Sequence, residues 1–469
     1  MRVLFVQKSA FPSAGVMSLA AVVKKAGWQA DLVLPEEENI FKKVGKLKPE
    51  IVALPVFTGE HQWVLETARK LKRQNPKIFI LLGGPHPTYY PEIIKAKGID
   101  AVIRGEAEGA ILDLLNALEK KRPLTKIKNL WWKKGKKIYK NPLRPLIEDL
   151  DLLPLPDREI YYKYDFLRKA SVKQFLSSRG CPYACTFCSN HLLRKMYKNK
   201  GRYLRRHSPQ RMIKEIKEVY SKYGFETVSF SDDVFTAHKD WLMEFLPIFK
   251  KEIGVPFMVN VTAHCLDEEL ARMLAKAGCW GIAMGVESGS QEIRFEVLKK
   301  FITNEQIIES GKLAKKYGLK LKTYNILSLP GETLKEAWET VKINQMIKPD
   351  SATASLLQPF PGYEITSYAQ KYGFLPRNFD VEDVGESIYL SSPINSPQKR
   401  ELENLQRFFP LVVEFPWMGL VVERLIKLPP NPIFTFLGRA FYGLFMSRVH
   451  HLTWGDAIRY LRHMDPFKV

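Results

Sequence analysis

Three of the five cysteines in this 469-residue chain fall within eight residues of one another. They stand in Ser177-Ser178-Arg179-Gly180-Cys181-Pro182-Tyr183-Ala184-Cys185-Thr186-Phe187-Cys188-Ser189-Asn190, spaced Cys-x3-Cys-x2-Cys after a strand-like run. Three thiolates on one short loop can hold three irons of a 4Fe-4S cube and leave the fourth open to a cofactor or substrate. Two other readings use the same residues. His191 follows Cys188 by three positions, so Cys181, Cys185, Cys188 and His191 could also close a structural zinc site. The cysteines could equally be buried structural side chains.

Such a loop needs a scaffold, and the flanking sequence supplies one. Six strand–helix repeats run from 171 to about 360, with strands predicted at 173–177, 227–231, 257–262, 281–286, 320–327 and 352–357. Six is short of the eight that close a full barrel, and chemistry in such sheets gathers at the carboxyl ends of the strands. Ser231, Asp232 and Asp233 end the second strand, where the acidic pair could otherwise be a helix N-cap before Lys239. Asn260, Thr262 and His264 alternate onto one face of the third. Glu287 closes the fourth, in Gly285-Val286-Glu287-Ser288-Gly289-Ser290. Leu329-Pro330-Gly331-Glu332-Thr333 after the fifth reads as a capped helix start, with Glu332 or Thr333 structural. Tyr363, in the turn Pro359-Phe360-Pro361-Gly362-Tyr363 after the sixth, is expected to face substrate.

Ahead of these repeats, apolar strands predicted at 3–6, 30–34, 51–54, 78–82 and 101–103 alternate with amphipathic stretches. That rhythm argues for a parallel, doubly wound sheet, which binds ligands beyond the carboxyl ends of its strands. Those ends carry the segments 7–15, 55–61, 83–88 and 104–106, where glycines let backbone approach a bulky ligand.

The cysteine loop resembles the radical S-adenosylmethionine (SAM) signature. Residues 1–375 together resemble the cobalamin-binding branch of that superfamily, in Gly83–His86, Arg104–Glu106, Asp232-Asp233, and the Lys276-Ala277-Gly278-Cys279 turn that leads to Glu287. The resemblance implies an α/β chain: an N-terminal Rossmann-like cobalamin-binding domain (1–125), a linker or strap (126–170), a partial (β/α)6 TIM-type radical SAM barrel (171–385), and a mostly helical, apolar-rich C-terminal region (386–469). Its implied cofactors are a 4Fe-4S cluster on Cys181, Cys185 and Cys188, SAM, and cobalamin. In that picture SAM chelates the open iron and Phe187 lies beside its adenine. The segment Ser231-Asp232-Asp233 holds its amino group through backbone, Asn260 and Thr262 reach its carboxylate or ribose, and Glu287 hydrogen-bonds it. The corrinoid contacts fall to Ser13, Gly15, Thr58, Gly83, Gly84, His86, Gly105 and Glu106.

The motif Asp-x-His-x-x-Gly, which puts a histidine under cobalt in other cobalamin proteins, is absent. Its absence suits a corrinoid without a protein histidine ligand, and equally a Rossmann-like domain without a cofactor. His86, between two prolines, also suits a plain turn. The implied activity is methylation of an unactivated carbon in a small or lipid-like substrate, through a 5′-deoxyadenosyl radical and methylcobalamin. An external flavodoxin- or ferredoxin-like protein would supply the electron. The same cofactors also serve cyclisation, rearrangement or oxidation, and a zinc-stabilised binding protein without turnover is the reading from another class.

Composition narrows the field further. Hydrophobic residues are 45% and charged residues 26%, the balance of a globular protein. Lys and Arg number 72 against 50 Asp and Glu, a net charge of +22. No helix-turn-helix, zinc-finger or ribonucleoprotein motif accompanies that charge, so nucleic acid is not the expected partner. Five cysteines make no disulfide framework in a chain this long, and Met1–Gln7 reads as a strand rather than a signal peptide. A reducing cytoplasm is expected. Cys279 reads as core, while Cys265 is a candidate extra thiol at the site.

Leu130-Trp131-Trp132 and Ile138-Tyr139 predict a hairpin about Gly135, followed by a strap with prolines at 142, 145, 154 and 156. Near the C-terminus, residues 408–422 hold one charge in fifteen, and apolar runs recur at 433–437 and 441–446. These segments either pack on the barrel or form a rim that touches the inner membrane face and admits a lipid-like substrate. His450-His451 is expected at the surface.

Overall fold

The computed structural model describes residues 1–385 and 387–448. Its first sheet grows from short β-branched and leucine-rich strands: β1 (Arg2–Val6), β2 (Gln29–Val33), β3 (Ile51–Pro55), β4 (Phe79–Gly83) and β5 (Ala101–Ile103). They are parallel in the order β2-β1-β3-β4-β5. The two-residue period sends Leu4 and Val6 into one apolar layer and Val3 and Phe5 into the other, so both faces are covered. The predicted hairpin forms as β6 (Leu130–Lys134) and β7 (Lys137–Lys140). It differs from expectation in its place. β6 pairs antiparallel with β5, so the hairpin extends the first sheet to seven strands instead of standing in a separate connector. Trp132 stacked on Tyr139 at 4.3 Å stiffens it.

The second sheet is built from β8 (Val172–Phe175), β11 (Thr227–Phe230), β12 (Phe257–Val261), β13 (Cys279–Glu287), β14 (Lys320–Leu327) and β15 (Ser351–Leu356). All neighbours are parallel and in chain order, with a helix crossing back between successive strands, which makes an open six-stranded barrel. Between β8 and β11, the short β9 (Ser178–Arg179) and β10 (Arg205–Arg206) pair antiparallel at the barrel mouth.

One apolar core runs through both sheets, joining Val3 and Phe5 to Phe175, Val228 and Phe230. The strap fills the seam: Tyr161 is fully buried and donates its hydroxyl to Gln7 Oε1, at the end of β1. Helix Lys399–Glu414 lies along β15, burying Leu402, Leu405, Phe408, Phe409 and Val412 against Leu356 and Val341. Helix Pro432–Ser447 caps that layer, with Phe434 edge-on to Phe408. Among the described residues no helix is long and apolar enough to cross a membrane. His450-His451 lies outside the described residues.

Candidate active site between the two sheets

The cysteine loop leaves β8 and is held by its own backbone and by distant partners. Gly180 has φ +94°, and a Cβ there would lie 2.5 Å from the Tyr203 carbonyl, so only glycine lets β9 and β10 close. Thr186 pins the loop centre: its N–H donates to Leu298 O at 3.0 Å and its hydroxyl to Val297 O at 2.7 Å. The loop folds tightly, Cys188 N–H donating to Cys185 O at 3.1 Å.

The three thiols act electrostatically on one another. Burial pushes Cys181 up to about 11 and Cys185 up to about 12, and the neighbouring thiols add to each shift; burial raises Cys188 as well. Protonated thiols close enough to raise one another suit a site that gives up its protons on taking iron. Among the described residues no three His, Cys, Asp or Glu side chains converge on a single metal ion. His191 is committed elsewhere: Nδ1 bonds the Cys188 carbonyl and Nε2 accepts the Glu364 N–H at 3.4 Å. Both ring nitrogens are occupied, which removes the fourth ligand from the zinc reading.

The strand ends of the barrel surround the loop. Asp232 is fully buried and accepts Ser177 N–H at 3.1 Å, Ser177 Oγ–H at 2.7 Å and the Ser178 hydroxyl. Its carboxylate therefore fixes the strand that launches the loop and is spent on that task. Asp233, its carboxyl raised by burial, accepts Asn190 Nδ2–H at 3.2 Å and faces the cavity with Ser231. Asn260 donates to the Asp232 carbonyl at 2.8 Å, tying β12 to the same corner. Thr262 Oγ1 lies 3.3 Å from His264 Nδ1. Glu287 sits at a bulge in β13 with φ +65°, and its Oε1 pairs with Lys300 Nζ at 2.8 Å. Phe187 packs against the apolar cluster that holds Ile326 and Leu357.

Between this loop and the first sheet lies a cavity of about 530 Å³. Ser13, Gly15, Gly83, Gly84, Gly105 and Glu106 line it from one side, and Gly180, Asn190, Ser231 and Asp233 from the other. A Cβ on Gly83 would meet no atom within 4 Å, so the backbone there opens directly on the cavity. The glycine-edged wall and this volume fit a large planar ligand brought close to the cysteine loop.

Three expected site residues stand elsewhere. The His86 side chain turns away from the cavity into the layer behind it, stacked on His61 at 4.7 Å with Nδ1 3.1 Å from Thr58 Oγ1. Burial lowers it to about 3, so it is a neutral packing group. Neither His86 nor Thr58 lines the cavity, because the turn Gly84-Pro85-His86 directs backbone to the ligand side and the ring to the core. Tyr363 is buried edge-on to Tyr89, at 6.3 Å, and to His191, at 5.6 Å, and does not line the cavity. Tyr90 donates to Pro361 O at 2.8 Å, so the Pro-Phe-Pro-Gly turn docks the barrel on the first domain instead of facing substrate.

Sequence reasoning missed the ionic lock beneath the cavity. Arg179 pairs with Glu106 at 3.2 Å and Glu108 at 2.6 Å, and Arg205 pairs with Glu106 at 2.8 Å. Lys300 was also missed, thirteen positions beyond Glu287 in a loop with no local signal. Buried Arg294 holds that loop by donating to Ser288 O at 2.6 Å and Ile302 O at 2.9 Å. Cys265 reaches the cysteine loop through the Tyr183 hydroxyl at 3.1 Å, which also lies 2.7 Å from His264 Nε2. Cys279 is buried at the start of β13, its thiol bonded to Gly281 O.

Residues 3–115 match the B12 binding domain family, and residues 175–343 match the radical SAM superfamily. An uncharacterized methyltransferase of Pyrococcus horikoshii is 32% identical over 372 residues, covering 76% of this chain and 78% of its own length. The anaerobic magnesium-protoporphyrin IX monomethyl ester cyclase of Rubrivivax gelatinosus is 28% identical over 428 residues, 85% of this chain and 74% of the relative. The radical S-adenosylmethionine methyltransferase TsrM from Kitasatospora setae, solved with tryptophan and a SAM analogue, superposes with a TM-score of 0.70. It is 16% identical and covers 98% of this chain and 99% of that one. The cobalamin-dependent radical enzyme OxsB superposes with a TM-score of 0.69 at 15% identity, over 98% of this chain and 75% of that one. At those identities the two structures speak for the fold.

A B12-binding sheet stacked on an open barrel with a three-cysteine loop defines a class, the cobalamin-dependent radical SAM enzymes. This chain belongs to that family. Its cofactors are a 4Fe-4S cluster, SAM and cobalamin, and enzymes of the superfamily draw their electron from an external reductant.

Proposed function

We propose that this enzyme transfers a methyl group to an unactivated carbon of a small or lipid-like substrate. The observation that carries the reading is the cavity of about 530 Å³, walled by glycine backbone of the cobalamin-binding domain on one side and by the cysteine loop and Asp233 on the other. A substrate carbon held there has both cofactor sites within reach, and proximity is the largest contribution the protein makes. When bound, cluster and SAM supply a radical that removes a hydrogen atom, and cobalamin supplies the methyl group.

The residues divide the remaining work. Cys181, Cys185 and Cys188 hold the iron, with Asp232 ordering Ser177 and Ser178 beneath them. Glu287, oriented by Lys300, and the polar corner of Ser231, Asn260 and Thr262 orient SAM, with Phe187 on its apolar side. Gly15, Gly83, Gly84 and Gly105 admit the corrinoid without a side-chain ligand from His86. Exposed Trp417, Leu420, Ile433 and Phe436 form an apolar rim that supports a peripheral membrane contact and a lipid-like substrate.

The cyclase relatives favour one second reading, a ring closure with the same cofactors and no methyl transfer. Anaerobic reconstitution with cobalamin, reductant and methyl-labelled SAM separates the two. Formation of 5′-deoxyadenosine with label appearing on cobalamin supports methyl transfer. The nucleoside without label on cobalamin supports ring closure, and absence of the nucleoside overturns both.

A further inference from the structure

The helix Ser189–Met196 begins at a cluster ligand: Cys188 is its N-cap residue. One face, Ser189, Asn190, Leu193 and Tyr197, lines the cavity at helical spacing. The other face and the following turn carry Arg194, Lys195, Lys198, Lys200 and Arg202, five cations in nine residues, of which all but half-buried Lys200 are exposed. Cations in the last helical turn are favoured by the helix dipole, which accounts for Arg194 and Lys195. It does not account for Lys198, Lys200 and Arg202 beyond the helix end. Glu148, on Arg202 at 3.2 Å, is the one carboxylate paired with residues 194–202 among those described. A concentrated positive surface, paired among the described residues at Arg202 alone, therefore sits on the last turn of the helix that starts at Cys188 and on the turn that follows it.

We infer that this basic face is where an acidic one-electron carrier protein docks to reduce the cluster. The inference rests on the radical SAM reading above. Electron transfer weakens steeply with distance, so the donor must approach an element that touches the cluster, and this helix does so through Cys188. Electron-transfer encounters are small and weak, and they are steered by complementary charge more than by buried area. Negative carboxylates on the carrier meet Arg194, Lys195, Lys198, Lys200 and Arg202. The step balances simply: one electron leaves a reduced flavin hydroquinone, which is oxidised by one electron, and the cluster falls from its 2+ to its 1+ state. The same charge could attract RNA, but no base-stacking aromatic accompanies it on the exposed face: Tyr197 and Tyr203 both turn to the cavity.

The test uses the full chain, loaded with cluster and cobalamin, and its Lys195→Glu, Lys198→Glu, Lys200→Glu triple variant. A purified acidic flavodoxin in the hydroquinone form is one reductant and dithionite the other. The expected result is an apparent KM for flavodoxin raised about tenfold or more, a flattened salt dependence, and dithionite-driven 5′-deoxyadenosine formation unchanged. The Lys→Arg triple variant should behave as the parent. Flavodoxin binding followed by fluorescence anisotropy at low and high salt reads docking without turnover, and should weaken in parallel. Unchanged flavodoxin kinetics and binding overturn the inference. So does a matching fall with both reductants, which would mark a damaged cluster, and so does loss of RNA binding with flavodoxin kinetics intact. If the parent forms no 5′-deoxyadenosine with dithionite, the radical SAM reading fails, while the anisotropy still decides whether the face docks the carrier.

Discussion

Two loops follow strands and face the same cavity, yet they present opposite things to it. The loop after β8 carries its chemistry on side chains: its three thiols stand on a segment that Gly180 turns sharply and Thr186 ties to Val297 and Leu298, with Gly180 and Asn190 at the cavity wall. The loop after β4 offers backbone: Gly83 and Gly84 line the cavity while the His86 ring is turned inward onto His61. The difference accords with the proposed way of holding each cofactor. Iron requires named donor atoms, whereas a corrinoid without a protein ligand requires room, and glycine is the residue that leaves room.

That contrast can be broken at several points. Cys185→Ala should take iron from about four per chain to near none by metal analysis, and abolish 5′-deoxyadenosine formation. Gly83→Leu should fill the corrinoid space and weaken cobalamin retention at least about tenfold, about 1.4 kcal/mol, with iron content unchanged; equal retention would place the corrinoid elsewhere. Glu106→Ala strips the shared partner from Arg179 and Arg205 and should cost about 3 kcal/mol in denaturant unfolding. His86→Gln should leave the visible spectrum of bound cobalamin unchanged, because the ring does not reach the cavity; a shifted spectrum would restore it as a ligand.

The smallest effect is one of pH. Glu332 is buried at the start of a helix, one carboxylate oxygen accepting the Leu329 N–H and the other without a partner, and burial raises it from 4.5 to about 8. The folded state then binds a proton the unfolded state has lost, so its stabilising contribution is whole below pH 4.5 and fades as pH rises through about 8. Glu332→Gln should flatten that slope, at most about 1.4 kcal/mol per pH unit, in thermal melts between pH 5 and pH 8.

Much of this was legible in the chain, and for a common reason. The parallel strands announce themselves as short apolar runs because both faces of each are covered, and Cys-x3-Cys-x2-Cys is a local pattern whose spacing allows a cluster, a zinc site or structural thiols, with the family resemblance pointing to the cluster. Glu287 was visible because the strand it ends follows the Lys276-Ala277-Gly278-Cys279 turn, as in the family the chain resembles; a carboxylate at a strand end alone is a weak signal. The hairpin was legible as a hairpin, but its attachment was not, since β5 and β6 pair through backbone groups that carry no sequence signature.

The amino-acid sequence by itself determined the two α/β units, the three-cysteine loop and the glycine-rich strand ends, all properties of residues near one another in the chain. Only the tertiary structure decided which side chains enter the cavity. It turned His86, Thr58 and Tyr363 into packing groups, assigned Asp232 to Ser177 and Ser178, and brought Lys300 to Glu287. It also set Arg179 against Glu106, 73 residues away. Those outcomes depend on rotamers and on charges that meet across sheets. A buried polar group takes the partner that packing delivers, and no spacing rule along the chain names that partner in advance.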